Sequence, residues 1–172
     1  SIYQESYNVS FFDPYFTMDG VSRGYSLYFR ETDYGEFNVA NYLTNSQGAG
    51  VQFGYPISDT QRIGLNLNFD NTDIDAVSLP SREIADFLTS EGTIFDVLKA
   101  QAVWSRITLN RGMFPTYGSS TDVMLQATIP GSDLTYYKTN IRQKFYRPIG
   151  FANLVFGFTG ELGYIDTYGD TK

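Results

Sequence analysis

The sequence predicts an all-β fold, either an eight-stranded antiparallel up-and-down transmembrane β-barrel or a half-barrel sheet, on three observations. Apolar and polar residues alternate with a period of two through eight segments. Aromatic residues are plentiful, with 14 Tyr and 14 Phe, while charged residues make up only 18% of the chain, below the usual quarter. Clusters of Gly, Pro, Asn and Asp interrupt the alternation at the intervals hairpins need.

The first segment sets Tyr3, Glu5, Tyr7, Val9 and Phe11 against Gln4, Ser6, Asn8 and Ser10. Val21, Tyr25, Leu27 and Phe29 then oppose Ser22, Gly24 and Ser26, and Ala49, Val51, Phe53 and Tyr55 oppose Gly48, Gly50, Gln52 and Gly54. A fourth segment places Ile63, Leu65, Leu67 and Phe69 opposite Gly64, Asn66, Asn68 and Asp70. The fifth and sixth carry Leu98, Ala100, Ala102, Trp104 and then Val123, Leu125, Ala127, Ile129 on the apolar side. The seventh sets Tyr137, Ile141 and Phe145 against Lys138, Asn140, Arg142 and Lys144. In the eighth, Leu154, Phe156, Phe158, Leu162 and Tyr164 oppose Val155, Gly157, Thr159, Glu161 and Gly163. Side chains in a strand point alternately to its two faces, so each segment has one greasy side and one wet side.

Hairpin connections are predicted at 13–20, 55–61, 109–119, 129–133 and 147–150. Two longer acidic loops are expected at roughly 31–46 and 70–94. The second holds a short loop helix carrying Ile84, Phe87 and Leu88, with Ser78 or Ser81 at its start and Gly92 at its end. No other domain is expected: residues 1–172 form a single barrel domain.

The residue types on the polar side decide which way the greasy side points. That side is mostly Gly, Ser, Asn, Gln and Thr, which suits a crowded, hydrogen-bonded lumen better than a solvated exterior. Aromatic residues near the segment ends resemble the girdles at membrane interfaces. The membrane-facing set is therefore Tyr7, Phe11, Tyr25, Phe29, Phe53, Tyr55, Phe69, Trp104, Phe145, Phe156 and Phe158. Lys138, Arg142, Lys144 and Glu161 are the lumen-facing charges, and the positive stripe of Lys138, Arg142 and Lys144 is expected to pair with acids inside the barrel. Glu5 and Arg23 fall on the greasy side, at positions where an interface tolerates charge. Two alternatives stand beside this: a soluble lipocalin-like barrel that binds a greasy ligand, and an engineered eight-stranded barrel without activity.

Composition excludes several kinds of chemistry. The chain has no His and no Cys, which removes the usual general base, the thiolate nucleophile and the commonest zinc ligands. A net charge of −7 argues against a nucleic-acid partner. The run DNTDID at 70–75 resembles a calcium loop, but Ala76 stands where Gly is needed and Arg82 where the bidentate Glu belongs, so a solvated acidic loop is expected. No catalytic residue, metal site or cofactor is expected, and the protein reads as a non-enzyme.

The connections DPYFTMDGVSRG (13–24), NRGMFPTYGSSTDV (110–123) and TIPGSDLTYYK (128–138) resemble those of the BamA family, the central subunits of the outer-membrane β-barrel assembly machinery. The resemblance covers nearly all of the chain and places it at barrel strands four to eleven. It implies a bacterial outer-membrane location, a role in outer-membrane protein insertion, and contact with the lipid bilayer or detergent. In the full-length family it also implies partnership with the machinery's lipoproteins and with client outer-membrane proteins. On this mapping the turns at 13–20, 55–61, 109–119 and 147–150 face the periplasm. POTRA domains, the first and last strands, the long sixth loop and the closing C-terminal strand have no counterpart in these residues. Eight strands alone are then expected to insert in membrane without further activity, closing on themselves or pairing edge to edge with another copy.

Overall fold

The computed structural model describes residues 4–33, 42–76, 92–150 and 154–168. Eight strands follow one another: β1 (Gln4–Asp13), β2 (Ser22–Asp33), β3 (Tyr42–Ser58), β4 (Gln61–Ala76), β5 (Ile94–Ile107), β6 (Gly118–Thr128), β7 (Tyr136–Ile149) and β8 (Leu154–Thr167). They make one sheet in chain order, each strand antiparallel to the next. Among the described residues no pairing joins β1 to β8, so the sheet is open and these two strands are its edges. Of the two forms the sequence allows, this is the half-barrel.

The registers bring the alternating residues into continuous rows. Phe11, Tyr25, Val51, Leu67, Ala100, Ala127 and Tyr137 are successive cross-strand partners across seven strands. One residue along, Ser10, Ser26, Gly50, Asn68, Lys99 and Thr128 form the matching row on the other face. Because side chains have a period of two, a slip of a single residue would exchange the faces of a whole strand. The apolar rows are filled with aromatic pairs such as Tyr7 with Phe29 and Phe11 with Tyr25, each with ring centroids 6.4 Å apart. Such pairs add roughly 0.5–1.5 kcal/mol beyond burial.

Exposure inverts the pattern of a globular protein. In β4, Leu65, Leu67 and Phe69 are 55, 51 and 45% exposed, whereas the intervening Asn66, Asn68 and Asp70 are half-buried. Among the described residues the buried apolar core is only Phe95 and Val97, on the polar face near the 129–135 connection. The greasy side is therefore the open side of the sheet, and the polar side is the crowded one.

Three boundaries differ from the sequence expectation. β2 reaches Asp33, β3 begins at Tyr42 and β4 continues to Ala76, so both ends of the first expected acidic loop and the start of the second are strand. There the hydrophobic alternation stops while the backbone ladder continues, with Asn45 opposite Asp73 and Ser46 opposite Thr72. Alternation reports which face is greasy and says nothing where both faces are polar. The expected turns at 55–61 and 147–150 shrink for a related reason. Pro56 lies inside β3, next to a register shift between Pro56 and Ser58, and Pro148 lies inside β7 opposite Val155. A bulge or a strand end accommodates the missing N–H of proline. The loop helix expected around Ile84, Phe87 and Leu88 lies outside the described residues, although Gly92 has the positive φ of 89° that suits a glycine.

Crowding on the polar face leaves no room for a side chain at Gly48. A Cβ on Gly48 would come within 2.6 Å of both the Phe69 carbonyl oxygen and the Tyr28 ring, and 2.7 Å of Asp70 Oδ1. On Gly64 the nearest atom would be 3.8 Å away. Gly48→Ala should therefore destabilise the sheet by about 1–3 kcal/mol through overpacking, while Gly64→Ala should stay within roughly 0.5 kcal/mol. Urea unfolding of the protein refolded in detergent, followed by tryptophan fluorescence, measures both; equal effects would contradict the crowding seen at Gly48.

Candidate functional site: the two faces of the wall

The polar face is tied together by side chains reaching across strands. Tyr28 on β2 lies over Gly48 on β3, and its hydroxyl donates to Asp70 Oδ1 on β4. The other oxygen of Asp70 pairs with Lys99 Nζ on β5 at 2.5 Å. Four strands are thus linked around one half-buried carboxylate. Sequence spacing could not signal this cluster, because its members come from four different strands and meet only once the registers are known.

The same face continues with Asn66 Nδ2 donating to Gln101 Oε1 at 2.9 Å and Gln126 Nε2 to Tyr136 Oη at 3.0 Å. Each satisfies polar groups that a crowded surface would otherwise strand. Arg142 donates to Glu161 Oε2 through Nε at 3.1 Å and Nη2 at 2.9 Å, and Asn140 donates to Oε1 of the same carboxylate at 2.8 Å.

The expected positive stripe divides. Lys138, Arg142, Lys144 and Glu161 share the polar face, but of the three cations only Arg142 forms an ion pair among the described residues. Lys138 faces Gln126 and Ile165, and Lys144 faces Ser120 and Thr159, so neither has a carboxylate directly opposite. Arg142 with Glu161 is the one ion pair of the stripe among the described residues. Asp122 and Glu161 flank Arg142 on its two neighbouring strands, an arrangement that serves charge balance and leaves no adjacent acid dyad.

The DNTDID run is strand rather than loop. Alternation sends Asp70 to one face and Asp73 and Asp75 to the other, so the three cannot converge on one ion. Among the described residues no group of three His, Cys, Asp or Glu is placed to hold a metal. Asn71 instead takes part in a ladder, accepting from Gln47 Nε2 at 3.2 Å and donating to Asp96 Oδ1 at 2.7 Å.

The opposite face gathers Tyr7, Phe11, Tyr25, Phe29, Phe53 and Tyr55 from β1 to β3. It continues through Phe69, Trp104, Phe145, Phe156 and Phe158 on the later strands. Its two expected charges sit at opposite ends. Glu5 is opposite Glu31, next to the 34–41 connection. The Arg23 guanidinium lies 3.8 Å over the Phe16 ring and 4.0 Å from Asp13 Oδ2, beside the 14–21 connection. The Phe16 contact had no sequence signal, since the turn has to fold back to make it.

An open antiparallel wall, apolar on its exposed face and hydrogen-bonded on the other, is the architecture of an outer-membrane β-barrel. The whole chain, residues 1–172, matches the Omp85 superfamily domain, and the chain belongs to that superfamily. It is 30% identical over 176 aligned positions to the outer membrane protein assembly factor BamA of Neisseria meningitidis serogroup B, an alignment covering 96% of this chain and 22% of that protein. Among solved structures it is similar to the crystal structure of BamA from Haemophilus ducreyi lacking POTRA domains 1–3. The TM-score is 0.82 at 24% identity, over 96% of this chain and 34% of that one. The chain thus spans about a fifth of the length of the curated relative. Its recognition as a BamA-like barrel wall of the bacterial outer membrane rests on all three likenesses.

The polar cluster allows a double-substitution test. With Asp70 mostly shielded and Lys99 about a quarter exposed, Lys99→Met should cost about 1–3 kcal/mol by leaving the carboxylate without its cation. Asp70→Asn in the same background should add less than it does alone. Arg142 and Glu161 are both nearly half exposed, and Arg142→Gln should lower stability less than Lys99→Met does. Denaturant midpoints in detergent read all of these; additive losses at Asp70 and Lys99 would show that the pair is not coupled.

Proposed function

We propose that this chain forms part of the barrel wall of an outer-membrane protein assembly factor and takes no part in enzymatic catalysis. Its greasy face meets lipid and its polar face lines the lumen. The observation that carries this is the inverted exposure: large apolar residues occupy the open face, and amides, hydroxyls and glycines the crowded one. A soluble barrel that bound a greasy ligand would carry its apolar face inside. The membrane-facing residues are then Tyr7, Phe11, Tyr25, Phe29, Phe53, Tyr55, Phe69, Trp104, Phe145, Phe156 and Phe158, and Lys138, Arg142, Lys144 and Glu161 face the lumen.

The apolar stripe of β4 is bounded by Gln61 and Asn71, an interval matching the roughly 9–11 residues a tilted strand needs to cross the hydrocarbon. On this reading the long β3–β4 hairpin rises beyond the bilayer on the outer side, and the connections at 14–21, 59–60, 108–117 and 150–153 lie in the periplasm. Partners are the lipid bilayer, the lipoproteins of the assembly machinery and client outer-membrane proteins. The relative's printed name, an outer membrane protein assembly factor, supports the role.

Two measurements test these statements. The chain has no cysteine, so single cysteines report without background. Leu65→Cys should resist a membrane-impermeant maleimide in vesicles while Asn66→Cys reacts; the reverse order would overturn the facing. Replacing the matching segment of the Neisseria BamA relative with this chain should preserve assembly of outer-membrane proteins in cells depleted of their own factor. The eight strands alone, refolded in liposomes, should not accelerate client insertion over empty liposomes.

A further inference from the structure

The charges on the apolar face are sorted by end. Among the described residues its only strand cations are Arg23, Arg106 and Arg147, and all three stand within three residues of a strand terminus beside a short connection: the start of β2 and the ends of β5 and β7. At the opposite end the same face carries acids, among them Glu31, Asp73, Asp96 and Asp166. The one acid on this face at the arginine end is Asp13, already beside Arg23. Arg106 and Arg147 are exposed and form no ion pair among the described residues.

Each arginine also has an aromatic residue two positions further into the stripe: Tyr25, Trp104 and Phe145. The Arg23 guanidinium is 5.5 Å from the Tyr25 ring centroid as well as stacked on Phe16, and its buried Nε has no hydrogen-bond partner. Arg147 faces Phe156 across the β7–β8 pair. A long side chain anchored on an aromatic ring beside the apolar band carries its charge out to the level of the head groups. A guanidinium there binds phosphate oxygens through paired N–H donors.

We propose that Arg23, Arg106 and Arg147 form a cationic rim that collects anionic phospholipids in the leaflet on the short-connection side, holding their phosphates at the edge of the apolar face. The acidic opposite end repels the same head groups, so the face is electrostatically polar along the membrane normal. The proposal rests on the greasy face meeting lipid, and the test separates the two.

Trp104 is the only tryptophan, two residues from Arg106 on the same face. The protein is refolded into phosphatidylcholine vesicles containing a minority of phosphatidylglycerol, with brominated chains carried by one lipid at a time as quenchers of Trp104. Brominated phosphatidylglycerol should quench as though enriched roughly two- to fivefold over its share of the bilayer. Arg106→Gln, and high salt on the unsubstituted protein, should return it to the bulk share; the salt arm keeps the test intact if the variant misfolds. Arg62→Gln, at the same end on the other face, should leave the enrichment unchanged. Quenching by both lipids in proportion to their abundance overturns the rim alone. Loss of the enrichment with Arg62→Gln overturns it in favour of diffuse charge. Absence of quenching by either lipid overturns the lipid-facing assignment itself.

Discussion

Inside a hydrocarbon layer a strand's N–H and C=O groups have no water to turn to, and each one left unpaired costs several kcal/mol. Continuous pairing between neighbours is the constraint on which the rest of this wall depends. It explains why all eight strands pair in chain order through hairpins, and why the ladder runs on past the end of the greasy stripe in β3 and β4. It also gives the edges their meaning. β1 and β8 each present an unpaired row, so the sheet is complete only where further strands or another copy meet them.

Pairing the backbone leaves the side chains to divide two unlike environments. On the open face, aromatic and aliphatic rows need no partners beyond one another. On the crowded face, every polar group has to find an acceptor or donor at close quarters, and the solution spans strands: Tyr28 over Gly48 to Asp70, and Asp70 to Lys99. Gly48 is small because a tyrosine crosses it. Arg142 with Glu161 and Asn140 does the same at the β7–β8 edge, with more exposure and correspondingly less at stake.

Much of this was legible in the residue order. The period of two named the strands and sorted Phe69 from Asp70 and Phe145 from Lys144 without any structure. Three connections carried enough of the BamA family pattern to point to the superfamily. Less legible were the parts where alternation carries no information. The polar ends of β3 and β4 read as loops because nothing in DNTDID marks a face. The stripe of Lys138, Arg142 and Lys144 read as one ion-paired group because partners on adjacent strands depend on register.

By itself, then, the sequence determined class, strand number and the two faces, since these follow from local chemistry that repeats every second residue. It left the sheet's closure open, because edge pairing is a long-range event with no local signature. Tertiary structure decided that β1 and β8 stay apart, that Asp70 sits among Tyr28, Gly48 and Lys99, and that Arg23 lies on Phe16. The Asp70 cluster depends on registers between strands, the open edges on long-range pairing, and the Arg23 contact on a turn folding back, none of which is written in the order of neighbouring residues.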